Sequence, residues 1–372
     1  MRKLETINNL INSKHMKKII IGIVAVVLIV VGISYFGKNS SQPTSKEPIK
    51  IGVILPLTGD VSFIGEAAKN SAILAKESFG KTKNTYELVF EDDQADSKKT
   101  VSAFRKLVDV DKIRAVGTGF AGPGNAIAPL SEKEKIIHFS IASDLNIAKD
   151  KKFVFNHWIK PENEAGVYIK EAKKQGFKKI AMISTNQQGI IAIKDALLKE
   201  DPTIFILKDE LFNPLEKDFR TAILKAKNEG ADAFLMMLLP GQLTSLVKQI
   251  KDLKINVPLT SVESFEYDLE AVPLLEGQWY VTSADPSENF TASYKEKYNG
   301  LPQPGSAYVY DVIRILITAF EKGDTNEDVA GIISGMKDFL GVTGVLSVDD
   351  DGNINSKAVI KKIINGKFVE VK

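Results

Sequence analysis

From Ile49 onward the apolar residues follow two periods that alternate along the chain. Ile49–Leu55 reads IKIGVIL, a nearly continuous apolar run of strand length. Ala67–Phe79 returns instead to the spacing of a helix with one buried face. The pair then repeats. Tyr86–Phe90 is a predicted strand, and Lys98–Val108 a helix that Asp96 or Ser97 can cap. Ile113–Val116 is a strand, followed by a Gly-rich turn and a helix through Glu134, and Ile136–Ser140 is a strand.

The rhythm restarts further on. Glu164–Gln175, Gly189–Lys199, Phe219–Asn228 and Leu243–Leu253 read as helices. Between and after them lie the predicted strands Lys179–Ser184, Ile204–Leu211, Ala233–Leu238 and Leu259–Ser261. Strands and helices that alternate over short links predict parallel sheets covered on both faces. Two such runs predict two such domains. Near the C-terminus, Val345–Val348 precedes Asp349-Asp-Asp-Gly-Asn353. Asn365-Gly366 then separates the apolar alternating runs Ala358–Ile364 and Lys367–Val371, which is a hairpin signal.

Ile19–Phe36 is an uncharged run of 18 residues. At about 1.5 Å per residue, a helix here would span roughly 27 Å, close to the ~30 Å hydrocarbon core. Lys17 and Lys18 before it place the N-terminus in the cytoplasm. A cleaved signal peptide is the alternative. Its nearest small-x-small site, Gly32-Ile33-Ser34, is followed by bulky Tyr35-Phe36, so an uncleaved anchor is expected. Met16-Lys17-Lys18 resembles a translation start. Gly37–Pro48, GKNSSQPTSKEP, reads as a flexible tether.

The formal net charge is +2, and the segment before the apolar run accounts for more than that, with Arg2, Lys3, Lys14, Lys17 and Lys18 against Glu5. The rest of the chain is slightly acidic and forms no basic field for nucleic acid. There is no cysteine, which excludes disulfides, thiolate metal sites, a Cys nucleophile and a lipid-modified cysteine. His15, His138 and His157 show neither metal-ligand spacing nor a triad order. Glu91-Asp-Asp93 could suggest a metal, but a strand end before a capped helix explains it more simply. Gly117-Thr-Gly-Phe-Ala-Gly122 has the form G-x-G-x-x-G, but it follows the third strand rather than the first. Free amides at a helix start suit a carboxylate there. No enzyme chemistry, cofactor or metal is expected.

The chain resembles the type I periplasmic binding proteins of the branched-chain amino acid (Leu/Ile/Val) receptor group, which feed ABC transporters. The likeness runs from Ile49 to the C-terminus. It is carried by Ile51-Gly-Val-Ile-Leu-Pro-Leu-Thr-Gly59, Leu88-Val-Phe-Glu-Asp-Asp93, Tyr310-Asp-Val312, Gly341-x-x-Gly344 with Asp351-Gly352, and Ile360…Asn365-Gly-Lys-Phe-Val369. The resemblance implies an α/β fold of two doubly wound parallel-sheet lobes joined by three hinge strands, with crossings near Asn156–Lys160, Val281–Ala284 and Gly344. The implied layout is a basic N-terminus over 1–18, a transmembrane anchor over 19–36 and a linker over 37–48. Lobe 1 takes 49–158 and 285–343, and lobe 2 takes 159–284 and 344–372.

The resemblance also implies a ligand cleft at the carboxyl ends of the strands. The family's α-carboxylate turn falls on Ala121 and Gly122, where Ala121 replaces the usual hydroxyl. Ala142, Ser143 and Asp144 match the segment that contacts both ligand ends, with Asp144 in place of a Thr or Ser. Asp144 could equally cap the turn Leu145–Ala148. Glu263 matches the acid that pairs with the ligand ammonium. Gln188 stands where a Tyr often covers the ligand, Phe63 or Ile64 supplies an apolar wall, and Tyr308 or Ser306 lines the far side. Trp158 lies in the first hinge. The expected function is capture of an amino acid or related zwitterion or amide for an ABC permease, outside the cytoplasm. A membrane-anchored sensor ectodomain of the same fold is the alternative.

Overall fold

β1 (Ile49–Leu55) is buried along most of its length because a strand in a parallel sheet is covered on both faces. The same cause makes the other central strands legible as apolar runs. The computed structural model describes residues 47–371 together with Lys18. The predicted anchor Ile19–Phe36 therefore lies outside the described residues. Among the described residues no helix is long and apolar enough to cross a membrane.

The strands that follow are β2 (Tyr86–Asp92), β3 (Ala115–Gly119), β4 (Ile137–Ile141), β5 (Val154–Ile159), β6 (Ile180–Thr185), β7 (Phe205–Ile206), β8 (Leu211–Phe212) and β9 (Ala233–Met237). After them come β10 (Leu259–Val262), β11 (Trp279–Ser283), β12 (Phe339–Leu340), β13 (Val345–Leu346), β14 (Asn353–Ser356), β15 (Ala358–Ile364) and β16 (Lys367–Glu370). One sheet has the order β2-β1-β3-β4-β5-β14, with every pairing parallel. The other has the order β7-β6-β9-β10-β11-β15-β16, with β8 also on β6, and turns antiparallel from β15 outward. Each sheet reverses its strand order once, between β1 and β3 and between β6 and β9. In open α/β sheets, ligands bind outside the carboxyl ends of the strands at this point.

The chain passes between sheets three times: from β5 into the helix Pro161–Lys174, from β11 into the helix Glu288–Tyr298, and from β14 directly into β15. The last crossing lies at Lys357, not near Gly344 as expected. The polar segment Asn353–Ser356 carries no strand signal of its own. It becomes a strand by pairing in register with Asn156–Ile159 of β5. At the hinge, the amide of Ala284 donates to the Lys357 carbonyl at 3.2 Å, so two of the crossing segments are tied together.

Other expected elements moved for local reasons. The first helix starts at Ser62 rather than Ala67. A side chain at Gly65 would sit 2.0 Å from the Pro56 carbonyl oxygen, so glycine lets this first turn lie directly on the loop after β1. The strand expected over Ile204–Leu211 is split, because Leu207 takes φ +56° and polar Lys208-Asp209-Glu210 follow. Asp96 does cap the helix Ser97–Lys106, accepting from the amides of Lys98 and Lys99. The hairpin turn Asn365-Gly366 has φ of 51° and 68°, positive at both central positions as a tight turn between twisted strands requires.

Two of the motifs prove to be one device. The Asp311 carboxylate accepts from the amides of Val342 at 2.7 Å and Thr343 at 2.9 Å, and from Thr343 Oγ1 at 2.6 Å. A side chain at Gly341 would lie 2.6 Å from Asp311 Oδ2. Asp92 does similar work on the first loop, accepting from the amides of Leu57 at 2.9 Å and Thr58 at 3.3 Å. His138 is a buried core histidine beside Thr118 Oγ1, with its pKa lowered to about 3 by burial.

Candidate functional site

The carboxyl ends of both sheets meet at one cavity of about 120 Å³. From the first sheet come Leu55 and Pro56 after β1, Gly119–Ala121 at the end of β3, Ile141–Ser143 at the end of β4, and Trp158 of β5. From the second come Gln187, Gly189 and Ile190 after β6, Met237 and Leu239 around the end of β9, and Val262–Ser264 after β10. Most of this lining is apolar. A mostly apolar cleft with a few convergent polar groups is the kind of site that holds a small organic molecule.

Glu263 is the charged group on the wall. Its carboxylate accepts from Trp158 Nε1 at 2.5 Å and from Ser143 Oγ at 3.3 and 3.4 Å. Both donors belong to the first lobe, whereas Glu263 stands on the second. Burial raises its pKa, while the hydrogen bonds from Trp158 and Ser143 pull the other way. Glu263 also has φ +61° and ψ −42°, outside the left-handed helical well where non-glycine residues with positive φ usually sit.

Opposite in the fold, the helix Ala121–Glu134 begins at the cavity without a side-chain cap. Its N-cap, Phe120, has φ +65° and ψ 148°, a region that is nearly glycine-only. The Phe120 amide donates to the Ile141 carbonyl at 3.0 Å, which holds the strained turn against β4. Pro123 has no amide hydrogen, and the Gly124 amide already donates to the Phe120 carbonyl at 3.1 Å. The amides of Ala121 and Gly122 have no acceptor among the described residues. Strain at two wall residues, one per lobe, is the kind that accumulates where a site is preorganised.

The structure brings Ala121, Ala142, Ser143 and Glu263 together on the cavity wall. It places the other candidates elsewhere. Ile64, not Phe63, faces the cavity, together with Gly65 and Ala68 on the next turn of the same helix. Gly122 lies behind the wall, where a side chain would stand 3.0 Å from Ser97 Oγ. Gln187 lines the cavity, whereas Gln188 turns away and its Oε1 accepts from Asn125 Nδ2 at 3.1 Å. Tyr308 is buried behind Trp158, with ring centroids 4.3 Å apart. Its neighbours Pro304, Gly305 and Val309 reach the wall instead.

Asp144 is a cap. Its Oδ1 accepts from the Asn146 amide at 3.0 Å and from Asn146 Nδ2 at 3.1 Å, and its Oδ2 from Asn125 Nδ2 at 2.8 Å. These bonds hold the carboxylate at the cap and off the cavity lining, which leaves Glu263 as the acid on the wall. Tyr267 and Ser264, neither singled out from sequence, complete the polar lining. A third residue missed from sequence, Glu164, is fully buried behind Glu263. A signal for it existed. Glu164 shares the buried helix face with Ala165, Tyr168, Ile169 and Ala172, where an acid has no ordinary place. Among the described residues no cluster of His, Cys, Asp and Glu could hold a metal ion.

The chain is similar to known proteins over most of its length. A family model described as periplasmic binding protein matches residues 48–366. A Leu/Ile/Val-binding protein homolog of Brucella melitensis is 25% identical over 349 residues, covering 86% of this chain and 93% of that one. The fold superposes with a TM-score of 0.80 on a branched-chain amino acid transporter substrate-binding protein of Streptococcus pneumoniae solved with isoleucine. That protein is 22% identical, and the match covers 88% of this chain and 100% of the other. A solute-binding protein of Rhodopseudomonas palustris in complex with 3,4-dihydroxybenzoic acid gives a TM-score of 0.74 at 20% identity, covering 87% of this chain and 96% of that one.

Proposed function

The chain belongs to the periplasmic binding protein family, and from that premise we propose that it captures an amino acid or related small zwitterion for an ABC-type importer. The observation that carries this reading is the pairing of one acid with uncapped amides across a mostly apolar cavity. Glu263 on the second lobe suits an ammonium group. The Ala121 amide and the positive end of its helix, on the first lobe, suit a carboxylate. Ile64, Ile190, Ile193, Met237 and Leu239 suit an apolar side chain.

Each end of such a ligand would touch a different lobe, so the ligand favours the closed state over an open one. The Trp158 and Ser143 bonds to Glu263 draw the lobes together on the same acid. The permease is the proposed recipient, and residues 19–36 are the proposed single-pass anchor holding the binding domain outside the cytoplasm. The run's length and charge flanks support this.

Calorimetry with L-leucine, L-isoleucine and L-valine, beside the matching deaminated acids and decarboxylated amines, tests the zwitterion reading. Binding should require both charged ends. Equal affinity for a carboxylic acid without an amine would remove Glu263 from the proposed role.

A further inference from the structure

Glu164 stands in the first turn of the helix Pro161–Lys174, with no part of its surface exposed. Neither carboxyl oxygen has a hydrogen-bond partner of ordinary geometry. The neighbour that acts on it is Glu263, close enough for each carboxyl to alter the other's ionisation. Two buried carboxylates side by side repel, and removing both from water costs more still. No lysine, arginine or histidine pairs with either acid among the described residues. The nearby Lys361 is taken by Glu266 at 3.1 Å and Asp285 at 2.7 Å. The remaining groups coupled to the pair are Glu266, Tyr267 and Tyr308, none of which supplies positive charge.

Resting on the proposed zwitterion reading, we propose that Glu164 is a neutral carboxylic acid that holds one proton beside Glu263, so the cleft offers a single negative charge and selects ligands with one ammonium group. The acid is a positioning residue, and Glu263 is the group that meets the ligand. Burial first, then the charge of Glu263, push the Glu164 carboxyl well above the usual carboxylate range. The helix N-terminus pulls the other way, since it favours an anion, but that pull is small beside the desolvation of a fully buried carboxylate. With Asp144 committed to its cap, the wall holds no further acid to attract a second amine.

The first test needs no ligand. Infrared spectra of the purified chain at neutral pH should show a protonated carboxyl stretch that Glu164→Gln removes. A wild-type spectrum without that stretch overturns the proposal, whether or not the variant folds. A stretch that persists unchanged in folded Glu164→Gln also overturns it. The second test is calorimetry with L-leucine, L-lysine and L-ornithine on both proteins. The ratio of affinities for one-ammonium and two-ammonium ligands should change less than about threefold in Glu164→Gln, because glutamine is as neutral as the acid it replaces. A loss of tenfold or more confined to L-lysine and L-ornithine would mean that Glu164 is ionised, and would overturn the proposal. If none of these amino acids binds, the zwitterion reading fails, and the infrared result alone judges the carboxyl pair.

Discussion

The indole Nε1 of Trp158 donates to Glu263 Oε1 at 2.5 Å, and this bond joins a strand of one lobe to the wall of the other. Trp158 is packed on Tyr308, with ring centroids 4.3 Å apart, so its donor is held in place from behind. A hydrogen bond to a charged acceptor contributes roughly 1.5–3 kcal/mol. The acid proposed to hold the ligand is therefore also a latch between the lobes.

If Glu263 meets a ligand ammonium, Glu263→Gln should weaken binding by roughly 2–5 kcal/mol, or tens- to thousands-fold. The fold should persist, because glutamine can still accept from Trp158 and Ser143. Calorimetry measures the loss, and a change under threefold would take Glu263 out of the site.

Closure should follow ligand binding. Three short crossings can bend without breaking either core, and only contacts to both lobes favour the closed form. Small-angle scattering should give a smaller radius of gyration with ligand than without. Trp158→Phe, which keeps a ring against Tyr308 but loses the donor, should enlarge the ligand-free radius. An unchanged radius in every state would count against the latch.

The carboxyl pair gives stability a definite pH dependence. Glu164 has a folded pKa raised well above its ordinary value of 4.5, burial being the first cause. The native state therefore holds a proton that the unfolded chain releases. This stability is fully present below the unfolded pKa and is lost as pH rises through the folded one. Within that window the slope is about −1.4 kcal/mol per pH unit for one proton. Denaturant unfolding at a series of pH values should show Glu164→Gln gaining on the wild type from pH 4.5 upward. Parallel curves for the two proteins would show that Glu164 ionises normally.

Asp144→Thr should change little. Threonine also caps, so stability should move by about 1 kcal/mol or less. Selectivity between neutral and cationic amino acids should stay as it is, since the Asp144 oxygens are spent on Asn146 and Asn125. A shift of the affinity ratio toward neutral aliphatic amino acids would put Asp144 in contact with the ligand.

The proposed anchor makes a prediction about the whole cell. Protease added to intact cells should digest the domain from residue 49 onward, and the mature chain should retain residues 19–36. A mature chain that begins after Phe36 would replace the anchor with a cleaved signal.

Sequence by itself determined what is local. Burial on both faces writes itself into an apolar run at β1, and the hairpin signal marks β15, so both could be read with their observed ends at Ile49–Leu55 and Ala358–Ile364. Capping and turn chemistry involve neighbours a few residues apart, so Asp96 and Asn365-Gly366 were legible too. Glu263 and Ser143 were proposed through resemblance, since nothing in their local sequence marks a site, and the structure places both on the cavity wall. What tertiary structure decided is which distant surfaces meet. Asn353–Ser356 is a strand only because β5 offers its edge to it. Gln187 rather than Gln188 faces the cavity because a helix turns by about 100° at each residue, so a one-residue error in its start changes the face presented. Glu164 lies far along the chain from Glu263, and no periodicity couples them. Their closeness, and the neutral Glu164 proposed from it, exist only once the helix Pro161–Lys174 is packed beneath the strand end that carries Glu263.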